Sequence, residues 1–229
     1  SKAASINLIN DVYTKYPQEN LVKMGGSIFA DCDSPQQTKV LTNLLPGSQK
    51  PQLIAAINAL PIIPVHGRET CTYQGLDLAS SLLNPSLNLG ARTDSNKFLI
   101  IVTDGRPYAG SDATRGPQET LAIQRAIAAT NAGYRLIGVG LGTGETWSTL
   151  QPEFLKCMTG EIATYTPTGT TTPLDCQPNR TNPGIYLESP TSGDLAEVFQ
   201  NIAQIVETEA CLPAPTAIPT QTFTPSPTL

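Results

Sequence analysis

Apolar runs alternate with amphipathic stretches along most of this chain. Residues 1–16 place Ile6, Ile9, Tyr13 and Tyr16 at helical spacing, and Pro17 ends the pattern. Residues 21–29 read as a strand softened by Gly25 and Gly26, and residues 39–45 as a shorter one. Residues 52–60 predict a short helix closed by Pro61, and residues 72–83 a longer one with Leu76, Ala79 and Leu83 on one face. Phe98 to Val102 is an unbroken apolar run, β-branched at Ile100, Ile101 and Val102, as a strand buried on both faces requires. Residues 117–132 predict a further helix, with Pro117 at its first position and Gly133 just past its end. Residues 134–140 form the next strand, 141–183 a long irregular stretch and 185–187 a short strand. Residues 193–207 carry an apolar stripe of Leu195, Val198, Phe199, Ile202 and Val206, with Ser192 or Asp194 suited to cap the helix.

Strands that alternate with helices predict an α/β fold: a doubly wound, mostly parallel sheet with helices on both faces. The folded unit is expected over residues 1–211. Residues 212–229 are rich in Pro and Thr and predict an extended linker or stalk, because such a segment cannot bury a core.

Composition narrows the function. The chain has 229 residues and a formal net charge of −5, with no cluster of Lys and Arg, which argues against nucleic acid as a partner. No apolar run is long enough to span a bilayer, so direct membrane insertion is not expected. Five cysteines (Cys32, Cys71, Cys157, Cys176 and Cys211) form no Cys-x-x-Cys pair. Scattered cysteines on a weakly charged, Thr-rich chain point to an oxidising compartment, hence to a secreted or cell-surface protein. Cys157 and Cys176 flank a Thr/Pro-rich excursion and are the first pair expected; Cys32 and Cys71 are the second. The odd count leaves one thiol free or paired outside the sequence.

The strand at Phe98 ends in Thr103-Asp104-Gly105, which brings a lone carboxylate to the carboxyl edge of the sheet, where open α/β folds place their ligands. A carboxylate there needs a partner such as a bound cation or a helix N-terminus. A second segment, Gly67-Arg68-Glu69-Thr70-Cys71-Thr72, runs as a loop into a helix. Together with Ile137-Gly138-Val139-Gly140 and the order of elements, these residues resemble the von Willebrand factor type A (VWA) family over roughly residues 1–207.

The resemblance implies a Rossmann-like fold and a non-catalytic adhesion or protein-binding role at the carboxyl edge. It also implies a divalent cation there, Mg²⁺ or else Mn²⁺ or Ca²⁺, whose shell an acidic side chain of a protein partner completes. Hydroxyls and a carboxylate on loops suit such a hard ion. By resemblance the metal-site residues are Thr70 and Asp104. Thr72 is the neighbouring alternative, since its hydroxyl also suits a helix cap. Gly105, Arg106 and Tyr108 share the edge as candidate ligand contacts, with solvated loop positions as the duller reading for the last two.

One departure matters. The family's site opens with Asp-x-Ser-x-Ser at the end of a first, central strand, and no such motif occurs here. The expectation is that this strand lies upstream of Ser1, between the strands at residues 22–29 and 98–102, and that this chain binds metal weakly without it. The flanking strands then either pair directly or leave a gap. Two other readings stay open: a metal-free scaffold that only spaces modules, and an α/β enzyme using the same edge. The second lacks support, because no nucleophile elbow, phosphate loop or general base is present. His66 is the only histidine and sits in a loop; Cys71 has nothing basic placed to activate it. Gly138 and Gly140 are not a nucleotide loop, and Asn179-Arg180-Thr181 is a sequon that matters only in a eukaryotic secretory pathway.

Overall fold

The computed structural model describes residues 2–17, 21–30, 38–60, 70–105, 107, 112–142, 150–178, 180, 182–191 and 193–210. Cys32, His66, Arg106, Tyr108, Trp147, Asn179, Thr181, Ser192, Cys211 and the segment 212–229 lie outside the described residues.

Three strands, β3 (Phe98–Thr103), β4 (Arg135–Leu141) and β7 (Ile185–Ser189), form a parallel sheet in the order β3-β4-β7. Alternation along β3 sends Leu99 and Ile101 to one face and Phe98, Ile100 and Val102 to the other. The first face packs against α3 (Thr72–Leu83), α4 (Asp112–Asn131) and α5 (Pro152–Thr159), whose Leu76, Ile123, Phe154 and Leu155 are fully buried. The second packs against α1 (Lys2–Lys15) and α6 (Leu195–Ala210). The fold is therefore the expected α/β sandwich with helices on both sides. The buried face of α1 is Ala4, Leu8 and Val12 with Ile9 and Tyr13, while Ile6 and Tyr16 are only half-buried.

Ahead of this sheet, β1 (Lys23–Ile28) and β2 (Lys39–Pro46) form a separate antiparallel pair, backed by α2 (Lys50–Asn58) through Leu53. Among the described residues β1 pairs only with β2 and β3 only with β4, so the flanking strands do not meet. A cavity of about 420 Å³ separates them.

Two expectations need correcting. Helix α4 begins at Asp112, so Pro117 lies inside it rather than at its start. Proline's fixed φ is already helical, and so early in the helix it costs one donor. The stretch 141–183 is not uniformly irregular. It contains α5 and the small antiparallel pair β5 (Thr164–Tyr165) and β6 (Leu174–Asp175). Helix α5 carried legible signals: Pro152 at its start, Glu153 in its first turn, Lys156 in its last and Gly160 beyond. Gly160 takes φ +82°, the left-handed cap that closes the last carbonyls.

The disulfide Cys157–Cys176 ties α5 to the strand pair β5–β6, as expected. Arg180 completes that corner. Its guanidinium donates to the carbonyls of Cys157 (2.8 Å) and Met158 (2.7 Å) in the last turn of α5 and to that of Cys176 (2.6 Å), bridging the helix end to the strand pair.

Candidate functional site at the carboxyl edge

Strands β1 and β3 run in the same direction. Lys23, at the start of β1, donates to the carbonyl of Gly90, and residues 90–97 lead along the same cavity into β3. Their carboxyl ends therefore share one edge of the molecule, and the sequence-predicted site residues gather on it.

Thr70, Cys71 and Thr72 lie against the end of β1, because the Cys71 N–H donates to the Ala30 carbonyl at 2.7 Å. Thr72 opens α3 and is fully buried, yet its Oγ1 has no hydrogen-bond partner. It is thus not the helix cap considered above; Cys71 occupies the cap position and makes no side-chain cap bond. An orphaned buried hydroxyl costs about 1–3 kcal/mol unless something occupies the space before it. Thr70 is half-buried. Cys71 is fully buried and disulfide-bonded, which removes it as a nucleophile.

Asp104 follows β3 directly and is exposed, and Gly105 beside it is buried. The turn is shaped by Thr103, whose Oγ1 lies 3.0 Å from the Gly105 carbonyl and 3.3 Å from the Gly105 nitrogen. This short-range pairing sends the Asp104 carboxylate out past the strand end, away from the core.

Sequence reasoning missed two residues on this edge. In register, Thr103 faces Gly140 and Gly140 faces Glu188, so Glu188, next to last in β7, lies level with Thr103 and one residue short of Asp104. Two strand spacings, about 10 Å, separate them, which is too far to share one ion directly. The second is Tyr186. Its hydroxyl is buried without a partner, and a Cβ at Gly140 would lie 2.7 Å from it. Burial first, then the carboxylates of Glu188, Glu153 and Glu161, push the Tyr186 phenol far above its ordinary value. The signal was an acidic residue closing the apolar strand Ile-Tyr-Leu.

The two glycines of β4 have a packing reason. A Cβ on Gly138 would sit 3.2 Å from Thr159, and one on Gly140 would sit 2.7 Å from Leu150 as well as from Tyr186. Glycine lets α5 and the tyrosine ring press onto the sheet.

The oxygen donors on this edge are the hydroxyls of Thr70 and Thr72 and the carboxylate of Asp104. They fit a hard cation in kind and fall short in number, since magnesium demands six oxygens. Among the described residues no cluster of three or more His, Cys, Asp or Glu could hold a metal. No described helix is long and apolar enough to cross a membrane.

A family model described as the von Willebrand factor type A domain matches residues 2–159. No curated protein matches the chain.

Proposed function

The chain belongs to the von Willebrand factor type A domain family, whose members are generally adhesion and protein-interaction domains and typically not enzymes, and from that premise we propose that it binds a protein partner at its carboxyl edge. The role is non-catalytic. The partner's acidic side chain approaches a divalent cation, Mg²⁺ in the first instance, held in part by Thr70 or Thr72 and by Asp104. The bound ion would supply charge neutralisation between two carboxylates, one on each side. The observation that carries this reading is the buried, unpartnered Oγ1 of Thr72 on the same edge as the exposed Asp104. The disulfides support secretion or display at a cell surface.

Calorimetric titration of Mg²⁺ tests it. With one carboxylate among the described donors, binding is expected to be weak, on the order of 1 mM, and to vanish in Asp104→Ala. Equal heats in the wild type and Asp104→Ala overturn the cation site. The scarcity of carboxylates also favours a second reading, the metal-free scaffold. Partner capture that survives excess chelator selects it.

A further inference from the structure

The excursion between α5 and β7 carries a repeated motif. Thr-x-Thr-Pro occurs at residues 164–167 and 170–173, and again at 222–225 in the Pro/Thr-rich segment. In the excursion the two copies form the arms of a hairpin. Thr164 pairs with Asp175 and Tyr165 with Leu174. The Thr170 N–H donates to the Pro167 carbonyl at 3.1 Å, and Gly169 takes φ +73°, the positive value that a type II turn needs at its third position. The hairpin is held from below by the Cys157–Cys176 disulfide and by Glu119. It also presses on α4, where a Cβ on Gly116 would collide with the Thr168 carbonyl. Helix α4 ends at the turn into β4, so its first turns, and the hairpin against them, stand at the carboxyl edge.

The hairpin sorts its side chains. Tyr165 and Pro167 are buried, whereas Thr164, Thr166, Thr170, Thr171 and Thr172 are exposed. Thr168 commits its hydroxyl to Glu119 at 3.0 Å, and Thr170 donates to the Pro167 carbonyl at 2.8 Å. Among the described residues the hydroxyls of Thr164, Thr166, Thr171 and Thr172 make no hydrogen bond. Residues 162–174 include no charged side chain, so free hydroxyls are the chemistry this surface offers.

We infer that Thr164, Thr166, Thr171 and Thr172 are acceptors for O-linked sugars, delivered from a nucleotide-diphosphate sugar by a glycosyltransferase. Threonine-rich sequence with proline is the composition that carries such sugars. The disulfide beneath the hairpin fits an oxidising compartment, which favours a sugar over an ATP-derived phosphate at Thr-Pro. In the transfer the threonine Oγ1 bonds to the anomeric carbon as the bond from that carbon to the diphosphate oxygen breaks. The nucleoside diphosphate leaves with the electron pair, and the hydroxyl proton passes to a base of the transferase and on to water. Sugars at these positions border the edge at which a protein partner is proposed to bind. The assignment stands apart from the cation reading.

The full chain, folded and with its disulfides intact, is incubated with UDP-N-acetylgalactosamine and a polypeptide N-acetylgalactosaminyltransferase. Trypsin then cuts after Lys156 and Arg180, which separates residues 157–180 from the tail, and electron-transfer fragmentation places each sugar. Sugar should appear on Thr164, Thr166, Thr171 and Thr172. Thr168 should react at least about tenfold more slowly, because only local opening frees its hydroxyl. In Glu119→Ala, Thr168 should join the acceptors. A 157–180 peptide left bare overturns the proposal, whether or not the tail is modified. Phosphate on Thr166 or Thr172, in a parallel incubation with ATP and a proline-directed kinase, then assigns the hairpin to that chemistry instead. Equal rates at Thr168 and Thr166 in the wild type also overturn it, because the fold then selects no acceptor.

Discussion

Replacing Glu119 with Ala should unfasten the β5–β6 excursion from α4. Glu119 is fully buried, and its carboxylate accepts from the Tyr165 hydroxyl at 3.0 Å, the Thr168 N–H at 2.8 Å and the Thr168 hydroxyl at 3.0 Å. These three bonds join an α4 side chain to a segment 46–49 residues downstream. Truncation leaves three donors without that acceptor, and a buried orphan costs about 1–3 kcal/mol. The sum is smaller than three such penalties. Thr168 is only half-buried, so water reaches it, and Gln151 Oε1 lies 3.5 Å from the Tyr165 hydroxyl. Removal of a buried carboxylate also relieves its own desolvation. The expected loss is about 2–3 kcal/mol.

Scanning calorimetry reads this as a fall in Tm of roughly 4–12 °C for a domain of this size. Glu119→Gln keeps one acceptor oxygen but turns an amide N–H toward a donor, so it should lose about 1–2 kcal/mol. Hydrogen exchange locates the damage: amides in 164–175 should open before those of β4. A Glu119→Ala variant within about 0.5 kcal/mol of wild type refutes the reasoning, since that is the range of a surface substitution.

Opening the Cys157–Cys176 disulfide by a double Ser substitution releases a loop of sequence separation 19 and should cost about 3 kcal/mol by chemical denaturation. Because Glu119 grips the same excursion, the two perturbations should be non-additive in a double-mutant cycle; strict additivity counts against a shared unit. Alkaline titration followed by phenolate absorbance should show Tyr13, Tyr134 and Tyr186 ionising late, since burial raises all three. The unfolded chain then releases protons near its ordinary pKa of about 10 while the native chain keeps them, so stability falls as pH rises above that value. Tyr186→Phe should flatten the fall, and an unchanged slope in that variant rules Tyr186 out as its source.

The sequence made the parallel sheet legible because no residue of β3 or β4 is exposed, so both read as largely apolar runs. Helix α3 matches the expected residues 72–83 because its apolar face is periodic and Asn84 and Pro85 stop it cleanly. What escaped was set by contacts distant in sequence. Glu119 looks like a surface charge on an amphipathic helix, and only the fold reveals that Tyr165 and Thr168 close over it. Arg180 sits in a polar run and gives no local hint that it caps α5. Pro117 was misread because proline suits the first helical turn, and nothing local tells position one from position six. At the site, Thr103-Asp104-Gly105 was readable from the strand it ends, whereas Thr72 was weighed as a cap and is a buried orphan instead.

The cavity between β1 and β3 also bears on the candidate site, because the site is divided across it. Thr70 and Thr72 are fastened to the β1 side through the Cys71 N–H and the Ala30 carbonyl. Asp104 belongs to the β3 side and is held by the turn at Thr103. Among the described strands nothing hydrogen-bonds one side to the other; the link is α3, whose Leu76 packs with Leu99 and Ile101 while its Gly75 abuts the Phe29 ring. Side-chain packing of one helix is a softer constraint than a continuous ladder of backbone bonds. Oxygen ligands for a small, hard ion must be placed to within a few tenths of an ångström, so cation affinity should follow how firmly α3 holds the two sides together. Titrating Mg²⁺ into wild type and Leu76→Ala measures that dependence: the affinity should fall in the variant, and an unchanged affinity in a folded variant separates the packing of α3 from the site.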